Sequence, residues 1–154
     1  MWYTTGMAVI EQHLRTVRVV RLGLTDYAAG LEAQRAAVAA RSAGRAPDTL
    51  LLTQHPPTYT LGRATRPGHL LVSPATLAAQ GVALVEADRG GDITFHGPGQ
   101  VVAYPILKLS AYGGDLARYL RMLEETVIVA LAEFGVRAGR VPGLTGVWVG
   151  DDKI

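Results

Sequence analysis

A chain of 154 residues with 49% apolar and 18% charged residues has the size and composition of one globular domain, which excludes a disordered protein. No apolar run approaches the roughly 18 residues of a membrane-spanning helix, and the lack of cysteine excludes disulfides and a cysteine nucleophile within these residues. The net charge of +2 comes without a basic stripe, so neither nucleic acid nor a membrane is an expected partner.

The first half of the chain alternates between strand-like and helix-like segments. Its N-terminal stretch shows no signal-peptide pattern, which predicts a cytoplasmic protein. Val17–Gly23 is short and β-branched and predicts a strand, whereas the alanine-rich segment Thr25–Gly44 has capping residues at both ends and predicts a helix. The continuous apolar run Asp48–Gln54 predicts a strand buried on both faces, and His55–Arg63 leaves it through two prolines.

The second half begins with a predicted short helix, Ser73–Gly81, followed by two predicted strands, Val82–Asp88 and Gln100–Leu109. The longest predicted helix is Gly113–Gly135, and two strand-like segments follow it, Val136–Gly143 and Leu144–Gly150. Pro105 places its strand at a sheet edge or a bulge. Apolar residues at helical spacing predict one apolar face on the longest helix, formed by Leu116, Leu120, Leu123, Val127, Leu131 and Phe134. Mixed elements without strict βαβ alternation predict an α/β (α+β) fold, a mixed β-sheet with helices packed mainly on one side.

The last residues, GVWVGDDKI, predict a strand followed by a hairpin turn. Only Ile154 follows this turn, so we expect the second strand of the hairpin to be missing and the first to lack its partner. This pattern predicts that residues 1–154 are a single domain that forms the N-terminal portion of a longer one. A cover provided by another chain and a frayed tail are the alternatives.

The stretch RGGDITFHGPGQ, from Arg89 to Gln100, has three possible interpretations. A phosphate-binding loop fits poorly, because the Gly-x-Gly-x-x-Gly spacing and the Gly-Lys-Ser/Thr motif are both absent. A structural turn between strands would explain its glycines and Pro98. A wall for an extended acyl ligand would use glycines for close backbone approach and His96 to orient the ligand head. The residues alone leave these three interpretations open.

A longer stretch, DRGGDITFHGPGQVVAYPILKL, resembles the signature of the octanoyltransferase family, the lipoyl(octanoyl) transferases of lipoate biosynthesis. LLLTQHPPTYTLGR and AGRVPGLTGVWVGDDKI are similar to two further segments of that family, in the same order. The resemblance implies the fold of a biotin/lipoate protein ligase catalytic domain. It also implies transfer of an octanoyl group from acyl carrier protein to a lysine of lipoyl domains of 2-oxoacid dehydrogenases or of the glycine-cleavage carrier protein. That chemistry proceeds through a cysteine thioester and uses no cofactor, metal or nucleotide.

The same resemblance implies roles for individual residues. Lys153 matches the catalytic lysine of the family, which assists as acid and base. A free lysine has a pKa of about 10.4 and a useful base one of about 7–8, so this role calls for burial or a nearby cation. Arg89, Gly90 and Gly91 match the loop that lines the acyl site. His96 matches the histidine beside the acyl carbonyl. His55 and Tyr104 match positions that face the acyl tunnel.

The sequence departs from the family at its catalytic thiol. The family's cysteine follows the lysine, in a segment that these residues do not include, so the chain as given is expected to be inactive or severely impaired. Two alternatives to an octanoyltransferase are an ATP-dependent lipoate or biotin protein ligase and a non-catalytic fragment that binds acyl groups or a carrier protein.

Overall fold

The computed structural model describes residues 16–154. The described elements are β1 Val17–Leu24, α1 Tyr27–Ser42, β2 Asp48–Gln54, β3 Thr58–Leu61, α2 Pro74–Ala79, β4 Ala83–Glu86, β5 Ile93–His96, β6 Val102–Ile106, a 3-10 helix Leu109–Tyr112, α3 Leu116–Ala132, β7 Trp148–Val149 and β8 Asp152–Lys153. They fall into two compact units, one that ends at Leu107 and one that runs from Lys108 to Ile154. That the whole chain forms one domain stays a prediction.

The first sheet of the first unit has the strand order β1-β2-β6. Strand β2 is parallel to β1 and antiparallel to β6, so the sheet is mixed, as predicted. The prediction that β2 is buried on both faces is wrong: Thr49, Leu51 and Thr53 are buried, whereas Leu50 and Leu52 are only half-buried. Successive side chains of a strand point to opposite faces, and only one face of β2 is deeply covered.

The elements that flank β2 follow the sequence closely. Strand β6 lies at the edge of the sheet, as the proline predicted, with Pro105 opposite Leu50. Helix α1 packs on β2 and β6. It begins after Asp26, whose side chain makes no capping hydrogen bond, and ends before Gly44, which adopts a φ of +69°.

The second sheet has the strand order β4-β3-β5, and two of its three strands were not predicted. Strand β3 follows two prolines, and β5 lies inside the glycine-rich stretch, so local turn signals hide both strands. Their pairing is tertiary, since β3 is parallel to β4 and antiparallel to β5. Helix α2 packs on β4 and begins as predicted, with the Ser73 side chain accepting a hydrogen bond from the Thr76 N–H.

The second unit is built around α3. Asp115 caps this helix by accepting hydrogen bonds from the N–H groups of Ala117 and Arg118. The predicted apolar face is not a buried core within this unit, because Leu116 is 61% exposed and Phe134 84% exposed. The buried residue of the helix is instead a carboxylate, Glu124.

The hairpin at the end of the chain corrects two predictions. Its second strand is present, as the two residues of β8, and Lys153 lies in that strand opposite Trp148 rather than in the turn. The two predicted strand-like segments, Val136–Gly143 and Leu144–Gly150, are largely irregular: they contain only the two-residue strand β7 and an isolated bridge between Gly139 and Trp148. No helix within residues 16–154 combines the length and the apolarity needed to cross a membrane.

Candidate functional site

His55, the first residue after β2, is the centre of a buried cluster in the first unit. Its side chain is 0% exposed. Its Nδ1 lies 2.6 Å from the Thr25 carbonyl oxygen and its Nε2 lies 2.8 Å from the Tyr104 hydroxyl. A carbonyl oxygen can only accept, so Nδ1 carries the proton and donates. In the neutral ring Nε2 then accepts a hydrogen bond from the Tyr104 hydroxyl.

Tyr104 lies beside His55 because β6 pairs with β2, which sets Tyr104 opposite Leu51. Burial, together with the nearby Tyr27, raises the pKa of Tyr104 to about 12. The hydroxyl therefore keeps its proton at neutral pH. It serves as a hydrogen-bond donor to His55.

Helix α1 approaches this cluster closely through a glycine. A Cβ atom at Gly30 would lie 3.0 Å from Cε1 of His55, so any larger residue would press on the imidazole. Gly30 is buried within an otherwise alanine-rich helix, where glycine costs about 1 kcal/mol relative to alanine. A glycine inside a helical pattern is the signal in the sequence that could have revealed this contact.

His96, at the end of β5, is the second imidazole of the cluster. Its ring lies 5.9 Å from the His55 ring and stacks 6.4 Å from the Tyr27 ring. The Gln100 amide donates to the Phe95 carbonyl oxygen, which directs Oε1 of Gln100 at Nδ1 of His96, 2.8 Å away. Nδ1 of His96 therefore donates, and Nε2 holds the lone pair, 3.4 Å from the Thr60 hydroxyl oxygen.

The environment of His96 favours its neutral form. Burial lowers the pKa of His96, and the charges of His55 and Arg89 lower it further. The hydrogen bond with Gln100 raises this pKa by less, so the pKa of His96 lies below its ordinary value. A neutral imidazole can accept a hydrogen bond at Nε2, and the Thr60 hydroxyl is the group that lies within 3.4 Å of that nitrogen.

Arg89 binds protein rather than presenting its charge to solvent. Its Nη2 donates to the carbonyl oxygen and to the hydroxyl oxygen of Thr60, each at 2.7 Å, and its Nη1 donates to the Gly90 carbonyl oxygen. Thr60 is fully buried in β3. The arginine therefore holds the glycine-rich loop onto the second sheet.

The backbone reinforces this attachment. The N–H groups of Arg63 and Ala64 each donate at 3.0 Å, to the carbonyl oxygens of Arg89 and Gly91 respectively. A Cβ atom at Gly62 would overlap the Gly91 carbonyl oxygen, so the close approach requires glycine at position 62. Among residues 16–154 a Cβ atom at Gly90 would meet no atom within 4 Å.

The second half of the loop is fastened to the end of β2. The Gly99 N–H donates to Oε1 of Gln54 at 2.8 Å, and Gly99 itself adopts a φ of +91°. A Cβ atom at Gly97 would lie 3.0 Å from the ring of Phe95. These contacts support the interpretation of Gly97–Gln100 as a structural turn, which leaves His96 at its edge.

Two described cavities in the first unit lie away from His96. One of about 440 Å³ is lined by Leu61, Gly62, Arg63, Thr65, Glu86, Ala87 and Asp88. Another of about 280 Å³ is lined by Arg21, Gly23, Leu52, Thr53, Gln54 and Val101. His96 lines neither of these two cavities, and the interpretation of its stretch as a wall for an acyl ligand stays a prediction.

The remaining predicted residue, Lys153, belongs to the second unit. It is exposed, and its side chain lies so close to Gly146 that a Cβ atom there would overlap Cε and come within 3.1 Å of Nζ. The first unit thus brings together His55, Tyr104 and His96, with Arg89 joined to them through Thr60. Several residues of this cluster and its loop were not singled out from the sequence, among them Tyr27, Gly30, Gln54, Thr60 and Gly62.

Comparisons with known proteins match most of the chain. Residues 26–154 match the family model of the lipoyl protein ligase A/B catalytic domain. Proteins named octanoyltransferase from Chloroflexus aggregans (strain MD-66 / DSM 9485) and Chloroflexus aurantiacus (strain ATCC 29366 / DSM 635 / J-10-fl) are 56% and 57% identical over 136 residues. Each alignment covers 88% of this chain, which spans 62% and 61% of those relatives.

A solved structure shares the fold. It is described as a bi-partite lipoate protein ligase and its E2 lipoyl domain from Thermoplasma acidophilum, and it superposes with a TM-score of 0.63 at 18% identity. The match covers 92% of this chain and 55% of that one. The predicted ligase-like fold is thereby confirmed, and the sequence relatives confirm the resemblance to octanoyltransferases.

Proposed function

The chain belongs to the lipoyl protein ligase A/B catalytic domain family, and on that premise we propose that it carries the acyl-binding residues and the lysine of an octanoyltransferase. The proposed reaction moves an octanoyl group from the thioester of acyl carrier protein to the amine of a lysine on a lipoyl domain. The carbon–sulfur bond breaks, an amide forms, and the thiol recovers a proton. The observation that carries this proposal is the identity of 56–57% to proteins named octanoyltransferase.

The His55 cluster supports the proposal through its chemistry. Acyl transfer to an amine requires that a proton leave the attacking nitrogen. We assign that proton transfer to Lys153 and propose that His96, whose Nδ1 is held by Gln100 and whose Nε2 lies 3.4 Å from the Thr60 hydroxyl, orients the acyl head. We propose that His96 faces the acyl head, that Tyr104 and His55 support it from within the unit, and that Arg89, Gly90 and Gly91 form the wall of the acyl site.

The octanoyl chain is a suitable source of affinity for such a site. Burial of the seven carbons beyond the carbonyl is worth about 5 kcal/mol, at about 0.8 kcal/mol per CH₂. This affinity needs no charged contact, which fits a site whose arginine is already bound to Thr60. The polar groups are then reserved for the reacting carbonyl.

Lys153 is the proposed acid and base of the transfer. The thioester route implied by the family also needs a thiol, and since the sequence has no cysteine the thiol must come from outside these 154 residues. We propose a cytoplasmic location, with octanoyl-acyl carrier protein as donor and a lipoyl domain of a 2-oxoacid dehydrogenase or the glycine-cleavage carrier protein as acceptor. A structural relative whose description names an E2 lipoyl domain supports this acceptor class.

A transfer assay without nucleotide tests the proposal. Octanoyl-acyl carrier protein and an apo lipoyl domain are mixed either with the protein expressed from the full reading frame or with the 154-residue chain. The mass of the lipoyl domain is then measured by mass spectrometry. We expect ATP-independent octanoylation by the full reading frame. The 154-residue chain should bind the octanoyl donor without transferring the acyl group.

A matched reaction with free octanoate or lipoate and ATP provides the counter-test. Modification that appears only with ATP would replace the proposal with a lipoate ligase. Binding of the acyl group without transfer by the full reading frame would favour a non-catalytic acyl-binding protein.

A further inference from the structure

The position of the Lys153 side chain is set by the backbone beneath it. Its methylene groups lie over Gly146, which adopts a φ of +121° and leaves the space that a Cβ atom would fill. Lys153 is exposed, so packing around it does not fix its direction. Gly146 is therefore the backbone contact of the Lys153 side chain, and a side chain at position 146 would displace it.

Glu124 fixes Gly146. The carboxylate of Glu124 is 6% exposed, and its Oε1 accepts a hydrogen bond of 2.8 Å from the Gly146 N–H. Its Oε2 accepts from Nη1 of Arg121 at 2.7 Å and from Nε of Arg140 at 3.0 Å. The Gly146 N–H and the two arginines lower the pKa of Glu124 in spite of its burial, so the acceptor is charged at neutral pH.

A second connection leads from Glu124 to the other side of Lys153. Arg140, held by Oε2 of Glu124, is preceded by Gly139, which exchanges two backbone hydrogen bonds with Trp148. Trp148 is the residue opposite Lys153 in the hairpin. Both routes that anchor the lysine thus meet at one buried carboxylate on α3.

We propose that Glu124 is a positioning residue for Lys153: its carboxylate holds Gly146 and, through Arg140, the β7–β8 hairpin, so that the ammonium group has one direction. The catalytic meaning of this placement rests on the proposed function, whereas the placement itself does not. Glu125 is the matched comparison, because it also pairs with Arg140, at 2.7 Å, but leaves Gly146 untouched.

Lysine-specific NMR tests the placement without substrate. The chain has only two lysines, Lys108 and Lys153, so protein labelled with ¹³C-lysine gives two Cε signals. We expect Glu124→Ala to move the Lys153 signal towards that of a free lysine and to leave Lys108 unchanged. Glu124→Gln keeps an oxygen for the Gly146 N–H but sets an NH2 group against the donors of Arg121 and Arg140, so it should displace the Lys153 signal less than Glu124→Ala does. Glu125→Ala should leave the Lys153 signal in place.

Gly146→Ala provides a second route if Glu124→Ala fails to fold. The new methyl group occupies the space of Cε, so it must displace the Lys153 signal while both arginines stay paired. An unmoved Lys153 signal in a folded Glu124→Ala or Gly146→Ala variant overturns the proposal. A Glu124→Gln signal displaced as far as that of Glu124→Ala overturns the route through Gly146.

The kinetic arm uses the full reading frame and octanoyl-acyl carrier protein. A displaced lysine should lower kcat about 10²-fold with KM for the donor little changed, and Glu125→Ala should match the unmodified enzyme. An unchanged kcat in Glu124→Ala would overturn the role in positioning. A lack of transfer by the unmodified enzyme would contradict the proposed function alone, because the NMR comparison still decides the placement.

Discussion

The two units place their candidate residues in opposite ways. In the first unit His55 is fully buried, and both of its ring nitrogens bind fixed partners, Thr25 and Tyr104. In the second unit Lys153 is exposed, and its side chain lies over Gly146. The buried carboxylate of Glu124 anchors it indirectly, by accepting a hydrogen bond from the Gly146 N–H. A buried imidazole is oriented by the hydrogen bonds of its two ring nitrogens, whereas an exposed ammonium on a flexible stem has more freedom to change its direction.

The free-energy cost of burying polar and charged groups explains why the two units position their candidate residues differently. In the first unit the buried imidazole of His55 has a hydrogen-bond partner at each ring nitrogen, so its burial depends on keeping those two bonds. The second unit buries a charge and compensates it with two arginines and a backbone N–H. The first arrangement should therefore be sensitive to lost hydrogen bonds and to crowding, which the following substitutions measure.

The largest effect is expected for His55→Ala. This change leaves the Thr25 carbonyl and the Tyr104 hydroxyl without their buried partner and opens a cavity, so the free energy of unfolding should fall by about 3 kcal/mol. Urea unfolding followed by circular dichroism measures it. His69→Ala, at an exposed histidine that pairs with Asp92, is the control and should cost under about 1 kcal/mol. Equal losses would contradict the central place of His55.

A comparison of Gly62→Ala with Gly90→Ala tests how much stability is lost when a methyl group crowds the glycine-rich loop. The methyl group at position 62 would overlap the Gly91 carbonyl oxygen and should cost roughly 1–3 kcal/mol, whereas position 90 is open and should cost little. Thermal unfolding compares the two variants. If Gly90 lies against the acyl group, Gly90→Ala should also weaken binding of octanoyl-acyl carrier protein in a stable protein. Unaltered binding would remove Gly90 from the proposed site.

Tyr104→Phe removes only the hydroxyl that donates to His55, so we expect a loss of about 1 kcal/mol at neutral pH. Its pH dependence is more specific. The pKa of Tyr104 is raised to about 12 in the folded chain, so its contribution is complete below pH 10, the ordinary value, and is lost as the pH rises towards 12. The free energy of unfolding should therefore fall more steeply with pH above pH 10 for the unmodified chain than for Tyr104→Phe. Parallel curves would show that Tyr104 titrates normally.

The smallest effect concerns His96. Its folded pKa lies below the ordinary 6.5, so the unfolded chain binds the proton more readily and stability should decrease as the pH falls below about 6.5. Gln100→Leu removes a bond that raises this pKa and should lower it further in an NMR titration of the ring. Gln80→Leu, at the end of α2, serves as the control. A pKa of His96 above 6.5 would contradict the neutral imidazole.

Elements with strong local signals were predictable. The helices α1, α2 and α3 have capping residues at their starts and glycines beyond their ends, and both β2 and the edge strand β6 follow from apolar runs and Pro105. Strands β3 and β5 could not be read in the same way. Each has four residues beside prolines or glycines, and only the pairing with neighbouring strands makes them strands.

The residues of the proposed site were identified from the sequence, through the His-Pro-Pro, Arg-Gly-Gly, His-Gly-Pro-Gly and Asp-Asp-Lys motifs and their resemblance to one family. The contacts among them were decided by the tertiary structure. His55 meets Tyr104 across paired strands, and Gly146 meets Glu124 across 22 positions in the chain. Local patterns carry the conformation of the backbone, but a hydrogen bond between distant residues depends on how strands and helices come together. That is why His55 and Glu124 acquire their partners only in the folded chain.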